Sequence, residues 1–470
     1  MGGDAMKAGR PAFVGVAGPE FTLGGKPVRF CGVNYGNWML IESYMLGLPW
    51  TEYKMRSLWR SLLGDASYHA FFDTFMDAYA ADADFAYMKE LGFNLIQLPF
   101  NYRWFGSDRT CAAFEGRGFE YVDRFVELCG RHGMHALISM HAAPGCAVRD
   151  WSAESAYGEA MLWDHRHFWN DAADIWTRVA DRYTDDARVF GFEILNEPLI
   201  DDLQVFNDFN RAMLNAVRGA DKNHVIVVNA NRWGKDIDSL ADDLFDDPLV
   251  VPSFHHYHSN FPPFGVLDRY PGEYEGKRYG REELLATLAG RYDTKRIRRP
   301  HLAGECGAPA WFGDESKQLL ETAIRLEWDD VLAEFNRLGF SWNFWAFKDL
   351  GRLGLVSPRA DTPWRRFLDR PEVRSIAVSY QEWMDECAGP LDRHARFMSG
   401  DDKKLFRFMT KHHWDAVALP KVLELLKPYG PDELREMARS FSFENCSAHD
   451  AKTAVVRKRA GEVRAWNAAR

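Results

Sequence analysis

The sequence lacks most features that mark exported, membrane-bound or nucleic-acid-binding proteins. Its opening stretch, MGGDAMKAGRPAFVGVAGPEF, has no apolar core of the about 7–15 residues that a secretory signal needs, and no run of about 18 apolar residues occurs. The net charge of −10, without a basic stripe, disfavours nucleic acid and anionic membranes as partners. We therefore expect a cytoplasmic protein, or a secreted one if a signal once preceded this chain.

Disulfide frameworks and cysteine-based metal sites are also disfavoured. The seven cysteines are odd in number, widely scattered and without a CxxC pair, which favours reduced thiols. What the chain does have is ordinary globular composition, with 46% hydrophobic and 27% charged residues. Its 17 tryptophans suit stacking surfaces, although large cores use them as well. The length of 470 residues suggests about three domains, but a single α/β barrel can exceed 400 residues.

Short apolar, strand-like runs recur along the chain, and amphipathic helical stretches lie between them. Each run ends in polar residues, and together they cover residues 28–38, 93–102, 135–145, 190–198, 224–234, 249–258, 299–309 and 340–348. Eight strand–helix units in alternation predict the α/β class and a (β/α)₈ TIM barrel.

The spacing of these runs also predicts the domain organisation. A long insertion, residues 39–92, separates the first two runs and would wall one side of the barrel mouth. Residues 370–470 are rich in charge at helical spacing and show no short alternating strands, so we do not expect a β-sandwich carbohydrate-binding module. We predict a lead segment at 1–24, a catalytic barrel at 25–388 and a helical extension at 389–470.

Catalytic groups of such barrels lie at the carboxyl ends of the strands. The residues at those ends are Asn34, Gln97, His141, Asn196, Glu197, His255, Tyr257, Glu305 and Trp345. A single glutamate in such a place is more often a helix cap or an ion-pair partner. Two of them, Glu197 and Glu305, end the fourth and seventh runs and would face each other across the mouth. Retaining glycoside hydrolysis needs two carboxyls in this relation, about 5–5.5 Å apart.

These motifs resemble glycoside hydrolase family five, over residues 25 to 365. LNEP is similar to the acid/base motif of that family, which implies Glu197 as acid/base and Asn196 as donor to the sugar 2-hydroxyl. AGECG is similar to the nucleophile strand and implies Glu305 as the nucleophile. The remaining matches, FHHYH, HAAPG and WNFWAFK, imply that the sugar-binding residues include His255, Tyr257, His141 and Trp345.

The first strand resembles a narrower group within the family. GVNYGNWMLIES is similar to the opening motif of exo-β-1,3-glucanases and exo-β-glucosidases, whose glutamate binds the non-reducing-end sugar and maps to Glu42. The same motif contains Asn34, which we expect to bind substrate as well, as we expect of Gln97 at the end of the second run. Later stretches, FKDLGRLGLVSP and DTPW, look more like bacterial members of mixed specificity, so the subfamily stays open.

One strand end departs from the family pattern. Where the family has arginine in VRLP, near the nucleophile, this chain has Gln97 in IQLP. Loss of a nearby cation should raise the pKa of Glu305. We expect the nucleophile to depend instead on His255, Tyr257 or an arginine from elsewhere, such as Arg103.

Two rival interpretations remain open at this stage. The histidines at 255–258 and 412–413 suggest a metal hydrolase, but a zinc site needs three or four converging ligands, and we expect His412 and His413 on a solvated helix. The change at Gln97 makes a non-catalytic carbohydrate-binding barrel conceivable. We expect instead a retaining β-glycosidase without metal or cofactor, acting on β-linked glucosides or mannosides and releasing sugars from the chain end. An endo-β-glucanase or mannanase is the alternative, and the oligomeric state stays open.

Overall fold

The computed structural model describes residues 12–106, 114, 116–150, 152–257, 270–274, 276–292, 296–307, 321–322, 324–376, 386 and 395–470. In chain order its strands are β1 Val14–Ala17, β2 Glu20–Leu23, β3 Lys26–Val28, β4 Cys31–Asn34, β5 Leu95–Asn101, β6 His135–Ala142, β7 Val189–Glu193, β8 Val225–Asn229, β9 Val250–Tyr257, β10 Gly272–Tyr274, β11 Lys277–Tyr279, β12 Leu302–Gly307, β13 Ser341–Phe344, β14 Val356–Pro358 and β15 Cys446–Ala448.

The helices in the described part of the chain lie mostly between these strands. They are α1 Ser43–Leu46, α2 Glu52–Leu63, α3 Asp65–Tyr79, α4 Asp82–Leu91, α5 Gly118–Arg131, α6 Arg166–Tyr183, α7 Leu203–Ala220, α8 Asn231–Gly234, α9 Arg281–Tyr292, α10 Leu332–Leu338, α11 Pro363–Leu368, α12 Gly400–Glu424, α13 Pro431–Ala438 and α14 Asp450–Ala468. A π-helical segment, Ile324–Val331, precedes α10.

The central feature is a closed barrel in the strand order β12-β13-β4-β5-β6-β7-β8-β9, in which every neighbouring pair is parallel. Each of the eight predicted runs overlaps one of these strands, so the predicted (β/α)₈ barrel is confirmed. The strands are buried nearly throughout because helices cover the outer face and side chains fill the interior. Their carboxyl ends therefore meet at one mouth.

The lead segment closes the opposite end of the barrel. Strands β1 to β3 form an antiparallel sheet, and Val14 and Phe21 from it pack with residues near the amino ends of the barrel strands, including Phe30 and Phe190. The predicted boundary between residues 24 and 25 falls in the turn between β2 and β3 and stays a prediction. Residues 1–11 of the lead segment lie outside the described part of the chain.

The insertion after β4 forms α1, α2 and α3 and is tied to the loop that follows β6. Glu154 in that loop accepts hydrogen bonds from the backbone N–H groups of Glu52, at 2.7 Å, and Tyr53, at 3.1 Å. These donors open α2 and have no partner inside the helix. Arg103 also donates to Glu154, at 3.2 Å. Two long loops are thereby held together beside the mouth.

The predicted extension packs on the barrel and shares its core. Leu423 of α12, Leu434 of α13 and Val456 of α14 belong to the same apolar cluster as the barrel strands. One part of the expectation was wrong, because the short strand β15 pairs with β14 in an otherwise helical region. The pairing holds the chain that leaves β13. The predicted boundary between residues 388 and 389 lies outside the described residues, and the three-part division stays a prediction.

Two expectations about the chain as a whole can be compared with this structure. Among the described residues we find no helix whose length and apolarity would let it cross a bilayer. Five of the seven cysteines are described, and all five are free thiols. Cys111 and Cys387 lie outside the described residues.

Candidate active site

The two predicted acids lie at the barrel mouth with a histidine between them. Glu197 follows β7, Glu305 lies in β12, and His255 lies in β9. The Nδ1 atom of His255 is 2.9 Å from Glu197 Oε1 and 3.4 Å from Glu305 Oε2. One carboxylate oxygen of each acid and one nitrogen of this histidine all lie within 4.8 Å of one another. The structure therefore brings the two predicted acids together at one place.

The backbone at Glu197 is strained. Its φ of 42° is in the left-handed region, which non-glycine residues seldom occupy, and the following Pro198 restricts it further. Such strain persists only where the surrounding structure imposes it, and it concentrates at functional sites. The Asn-Glu-Pro turn thus directs the Glu197 side chain into the mouth instead of along the strand.

Glu305 is buried and surrounded by donors. His141 Nε2 lies 3.2 Å from its Oε1, and the Tyr257 hydroxyl donates to its Oε2 at 2.6 Å. Burial raises the pKa of this carboxyl, but the nearby His255 and the donors His141 and Tyr257 outweigh burial and hold the pKa below its ordinary value. The carboxylate is therefore kept ionised, as a nucleophile requires.

This finding bears on the expectation drawn from Gln97. Without the family arginine we expected Glu305 to depend on His255, Tyr257 or another arginine, and the pKa of Glu305 lies below the ordinary carboxyl value. His255 and Tyr257 supply the compensation, as the sequence suggested they could. Arg103 does not, because its guanidinium donates to Glu154.

An aromatic and acidic wall completes the pocket on one side of Glu305. The ring of Trp345 stacks on His141 with centroids 4.9 Å apart, and its Nε1 donates to the hydroxyl of Tyr44. Glu42 is buried beside Tyr44. Burial and then the charge of Glu305 raise the pKa of Glu42 well above its ordinary value, against the hydrogen bond from Tyr44.

The other predicted substrate-binding residues fall into two groups. Asn196 is nearly fully buried next to Glu197, and its backbone N–H donates to the Met140 carbonyl at 2.9 Å. Asn34 and Gln97 are fully buried and bond to protein groups instead. Asn34 Nδ2 donates to the Gly304 carbonyl at 3.0 Å. Their contacts lie beneath the acids, which suits a supporting role better than the predicted contact with sugar.

Sequence reasoning missed a buried polar layer under the acids. Gln97 Nε2 donates to Glu193 Oε2 at 2.7 Å, and Glu193 also contacts Ser139 and Asn229. Only strand ends were considered as candidates, whereas these residues lie one layer deeper in the barrel. An available signal was Glu193 itself, an acid inside the otherwise apolar run FGFEIL.

His412 and Cys306 have structural contacts outside the trio formed by the two acids and His255. Among the described residues, the side chains close enough together to hold a metal ion are Glu197, His255 and Glu305. Two of these three are the acids expected for glycoside hydrolysis, so their closeness does not by itself indicate a metal site. His412 was expected to be solvated, but it is buried and its Nε2 lies 3.1 Å from the Arg149 carbonyl. Cys306 is buried and its thiol donates to the Asn343 carbonyl at 3.4 Å, as a packing residue would.

The Tyr257 hydroxyl gives a pH-dependent prediction. Tyr257→Phe removes a donor that stabilises the ionised form of Glu305, so the pKa of Glu305 should rise. We expect the acidic limb of the kcat/KM profile to move to higher pH, because activity needs ionised Glu305. Tyr292→Phe is the matched control, since that hydroxyl donates to the His255 carbonyl. An acidic limb that moves equally in both variants would contradict this account.

A closed parallel barrel with a carboxyl at the ends of its fourth and seventh strands, bridged by a histidine, defines a glycoside hydrolase. Comparison with known proteins identifies the group. The model of the cellulase family, glycosyl hydrolase family 5, matches residues 63–351. The chain therefore belongs to glycoside hydrolase family 5, and the resemblance seen in its motifs is confirmed.

The similar proteins are named for several different glycosidase activities. A beta-xylosidase of Phanerodontia chrysosporium is 26% identical over 95% of this chain and 98% of its own length. Endoglucanase C of Acetivibrio thermocellus is 26% identical over 45% of this chain and 63% of its own. A glucan 1,3-beta-glucosidase of Candida oleophila is 24% identical over 48% and 57%. Among solved structures, endoglucanase Cel5A from Thermotoga maritima shares 20% identity and a TM-score of 0.49, covering 69% of this chain and 91% of that one.

Proposed function

We propose that this protein is a retaining, exo-acting β-glycosidase of short β-linked oligosaccharides or small glycosides. The observation that carries the retaining mechanism is the closeness of the acids, since an oxygen of Glu197 and an oxygen of Glu305 lie within 4.8 Å. Inverting enzymes separate their carboxyls by about 6.5–9.5 Å to admit a water, whereas retaining enzymes keep them about 5–5.5 Å apart. No cofactor is needed for this chemistry.

The reaction proceeds by two displacements at the anomeric carbon. In the first, Glu305 attacks that carbon while Glu197 protonates the departing oxygen, so the glycosidic bond breaks and a glycosyl ester forms. In the second, Glu197 is a carboxylate and takes a proton from water, which attacks the same carbon and releases Glu305. Glu197 regains its proton, and the sugar keeps its β-configuration.

Exo-action is supported by the wall of the pocket. Glu42 is a buried carboxyl close to Glu305, and such a group is costly unless it is hydrogen-bonded. The hydroxyls of a terminal sugar are suitable partners. A relative that matches 95% of this chain is named a beta-xylosidase. We therefore add β-xylosides to the glucosides and mannosides as candidate substrates. A cytoplasmic location, where small imported glycosides are the available substrates, stays part of this proposal.

The product pattern tests the proposed function. Wild-type protein is first assayed on aryl β-glucoside, β-mannoside and β-xyloside, and then on a β-linked oligosaccharide labelled at its reducing end. We expect a monosaccharide from the first time points and a labelled product that shortens one unit at a time. An early ladder of mid-length fragments would show endo-cleavage. Binding to these sugars without any release of aryl alcohol would show a non-catalytic barrel.

Replacement of Glu42 tests its contact with the terminal sugar. Glu42→Ala should lower kcat/KM by about 5- to 150-fold, the equivalent of roughly 1–3 kcal/mol for a buried sugar hydroxyl left without its hydrogen-bond partner. Glu42→Gln is the matched variant, because it keeps the shape and some hydrogen bonding and should lose less. If both variants unfolded more easily than the wild type and lost activity to the same extent as each other, Glu42 would be only a structural partner.

A further inference from the structure

Glu193 is a fully buried carboxyl that the two displacements do not use. It lies in β7, four positions before Glu197. Its Oε2 accepts hydrogen bonds from Gln97 Nε2 and from Ser139 Oγ, both at 2.7 Å, and its Oε1 accepts from Asn229 Nδ2 at 3.2 Å. A carboxylate can be buried when donors surround it in this way. The three donors satisfy the charge and fix the directions of the surrounding hydrogen bonds.

Asn229 transmits those directions to the catalytic centre. The same Nδ2 atom that donates to Glu193 lies 2.8 Å from His255 Nε2. Since a carboxylate only accepts, the group between Glu193 and His255 is the amide NH₂, which has a second hydrogen for the ring. His255 Nε2 must therefore act as the acceptor in this contact, which leaves Nδ1 as the protonated nitrogen.

The carboxylates that face Nδ1 of His255 favour the doubly protonated ring, whereas Asn229 favours an unprotonated Nε2. Glu197 and Glu305 face its Nδ1, and Glu193 lies behind Asn229. Burial lowers the pKa of His255, but the charge of Glu305 and then the hydrogen bond and charge of Glu197 outweigh it and raise the pKa to about 9. Charge alone would thus place protons on both nitrogens at neutral pH. The amide NH₂ of Asn229 opposes the second proton, because two donors would then meet at 2.8 Å.

We propose that Glu193 is a positioning residue that acts through Asn229 to keep Nε2 of His255 unprotonated, so that His255 is a neutral donor through Nδ1. The effect on catalysis depends on the proposed function. The protonation state of His255 does not, because it is inferred from the contacts of Glu193, Asn229 and His255 alone.

The consequence concerns the acid proton of Glu197. With Nδ1–H donating to Glu197 Oε1, the carboxyl proton resides on Oε2, where it can pass to the departing oxygen. A proton on Nε2 would disturb the position of the Glu197 proton, whether the ring is doubly protonated or is neutral with its proton on Nε2. An imidazolium would hold Glu197 as a carboxylate, and a neutral ring with an unprotonated Nδ1 would draw the Glu197 proton to itself. Both states weaken the general acid.

The wild-type protein provides the first test. Nitrogen-15 NMR of labelled histidines distinguishes protonated from unprotonated ring nitrogens, and His255→Gln assigns the signal by its disappearance. We expect His255 to show a protonated Nδ1 and an unprotonated Nε2 at neutral pH. A ring with both nitrogens protonated, or with the proton on Nε2, overturns the proposal. This result does not depend on any measurement of activity.

Glu193→Gln is the second test, because it reverses one hydrogen bond without a change in shape. The new amide keeps its oxygen toward Gln97 and Ser139 and presents NH₂ to Asn229, which must turn its Oδ1 to accept. His255 Nε2 then faces an acceptor and should gain a proton. The basic limb of kcat/KM should move to lower pH, with a loss of about 10- to 100-fold on substrates with poor leaving groups, part of the 10²–10⁴ that a general acid contributes.

Ser139→Ala is the matched control, since it removes a donor to Glu193 Oε2 and leaves the Asn229 side unchanged. We expect neither the His255 spectrum nor the basic limb to shift in this variant. An unchanged spectrum and limb in Glu193→Gln would overturn the proposal. A changed spectrum in a protein whose wild type hydrolyses no glycoside would support the hydrogen-bond assignment and refute the proposed function.

Discussion

Glu305→Ala is expected to abolish glycoside hydrolysis and to gain an azide-dependent reaction in its place. The substitution removes the carboxylate proposed to attack the anomeric carbon from the face opposite the leaving oxygen, so the loss should be about 10⁵-fold or more, as for other covalent nucleophiles. The space left by the carboxylate admits a small anion. Azide should attack there once and give the α-glycosyl azide, because a single displacement inverts a β-glycoside.

The readout is the anomeric configuration of the azide product, determined by proton NMR. Glu305→Gln serves as the matched control, because the amide fills the space and cannot attack, so azide should restore little activity to it. A β-glycosyl azide from Glu305→Ala would mean that a covalent intermediate still forms, and another residue would then have to be the nucleophile.

The positions of the strands could be predicted because they depend on local pattern. Buried parallel strands are apolar on both faces, and the turns that end them are rich in glycine, proline and asparagine. The run FGFEILNEP, for example, includes all of β7 except its first residue and stops at the Asn-Glu-Pro turn. Since strand ends of a barrel share one mouth, the two acids could be assigned to one site without coordinates.

The partners of each polar residue could not be predicted in the same way. Gln97 was expected to bind substrate from its strand end, but its amide bonds to Glu193 in β7 and to Asn343 in β13. Which neighbours a side chain meets inside a barrel depends on the stagger of the strands, and no short motif records it. The burial of His412 was missed for a related reason, since it depends on how α12 packs against the loop at Arg149.

Glu193 could be found from the sequence, but its contacts could be found only from the structure. Its position was visible in the sequence as an acid within an apolar run, and it was passed over because only strand ends were read as functional. Its donors come from three other strands, β5, β6 and β8. The sequence shows where this acid lies in the chain, and the barrel shows which groups make its burial possible.

Glu197→Ala is expected to separate the two steps of the reaction. Loss of the general acid should slow the first step by about 10²–10⁴-fold for substrates whose leaving oxygen needs a proton. Dinitrophenyl glycosides leave as stable anions and need none, so their first step should stay close to the wild-type rate. The second step also needs Glu197, as a base, and the glycosyl-enzyme should therefore accumulate as a burst of dinitrophenolate.

Azide again gives the decisive product. In Glu197→Ala the sugar is already attached to Glu305 on its α-face, so azide attacks from the β-face and should release the β-glycosyl azide. The opposite anomers expected from Glu197→Ala and Glu305→Ala follow from the opposite positions of the two carboxyls across the mouth. If both variants gave the same anomer, or if the loss in Glu197→Ala did not depend on the leaving group, the roles assigned to these two acids would be wrong.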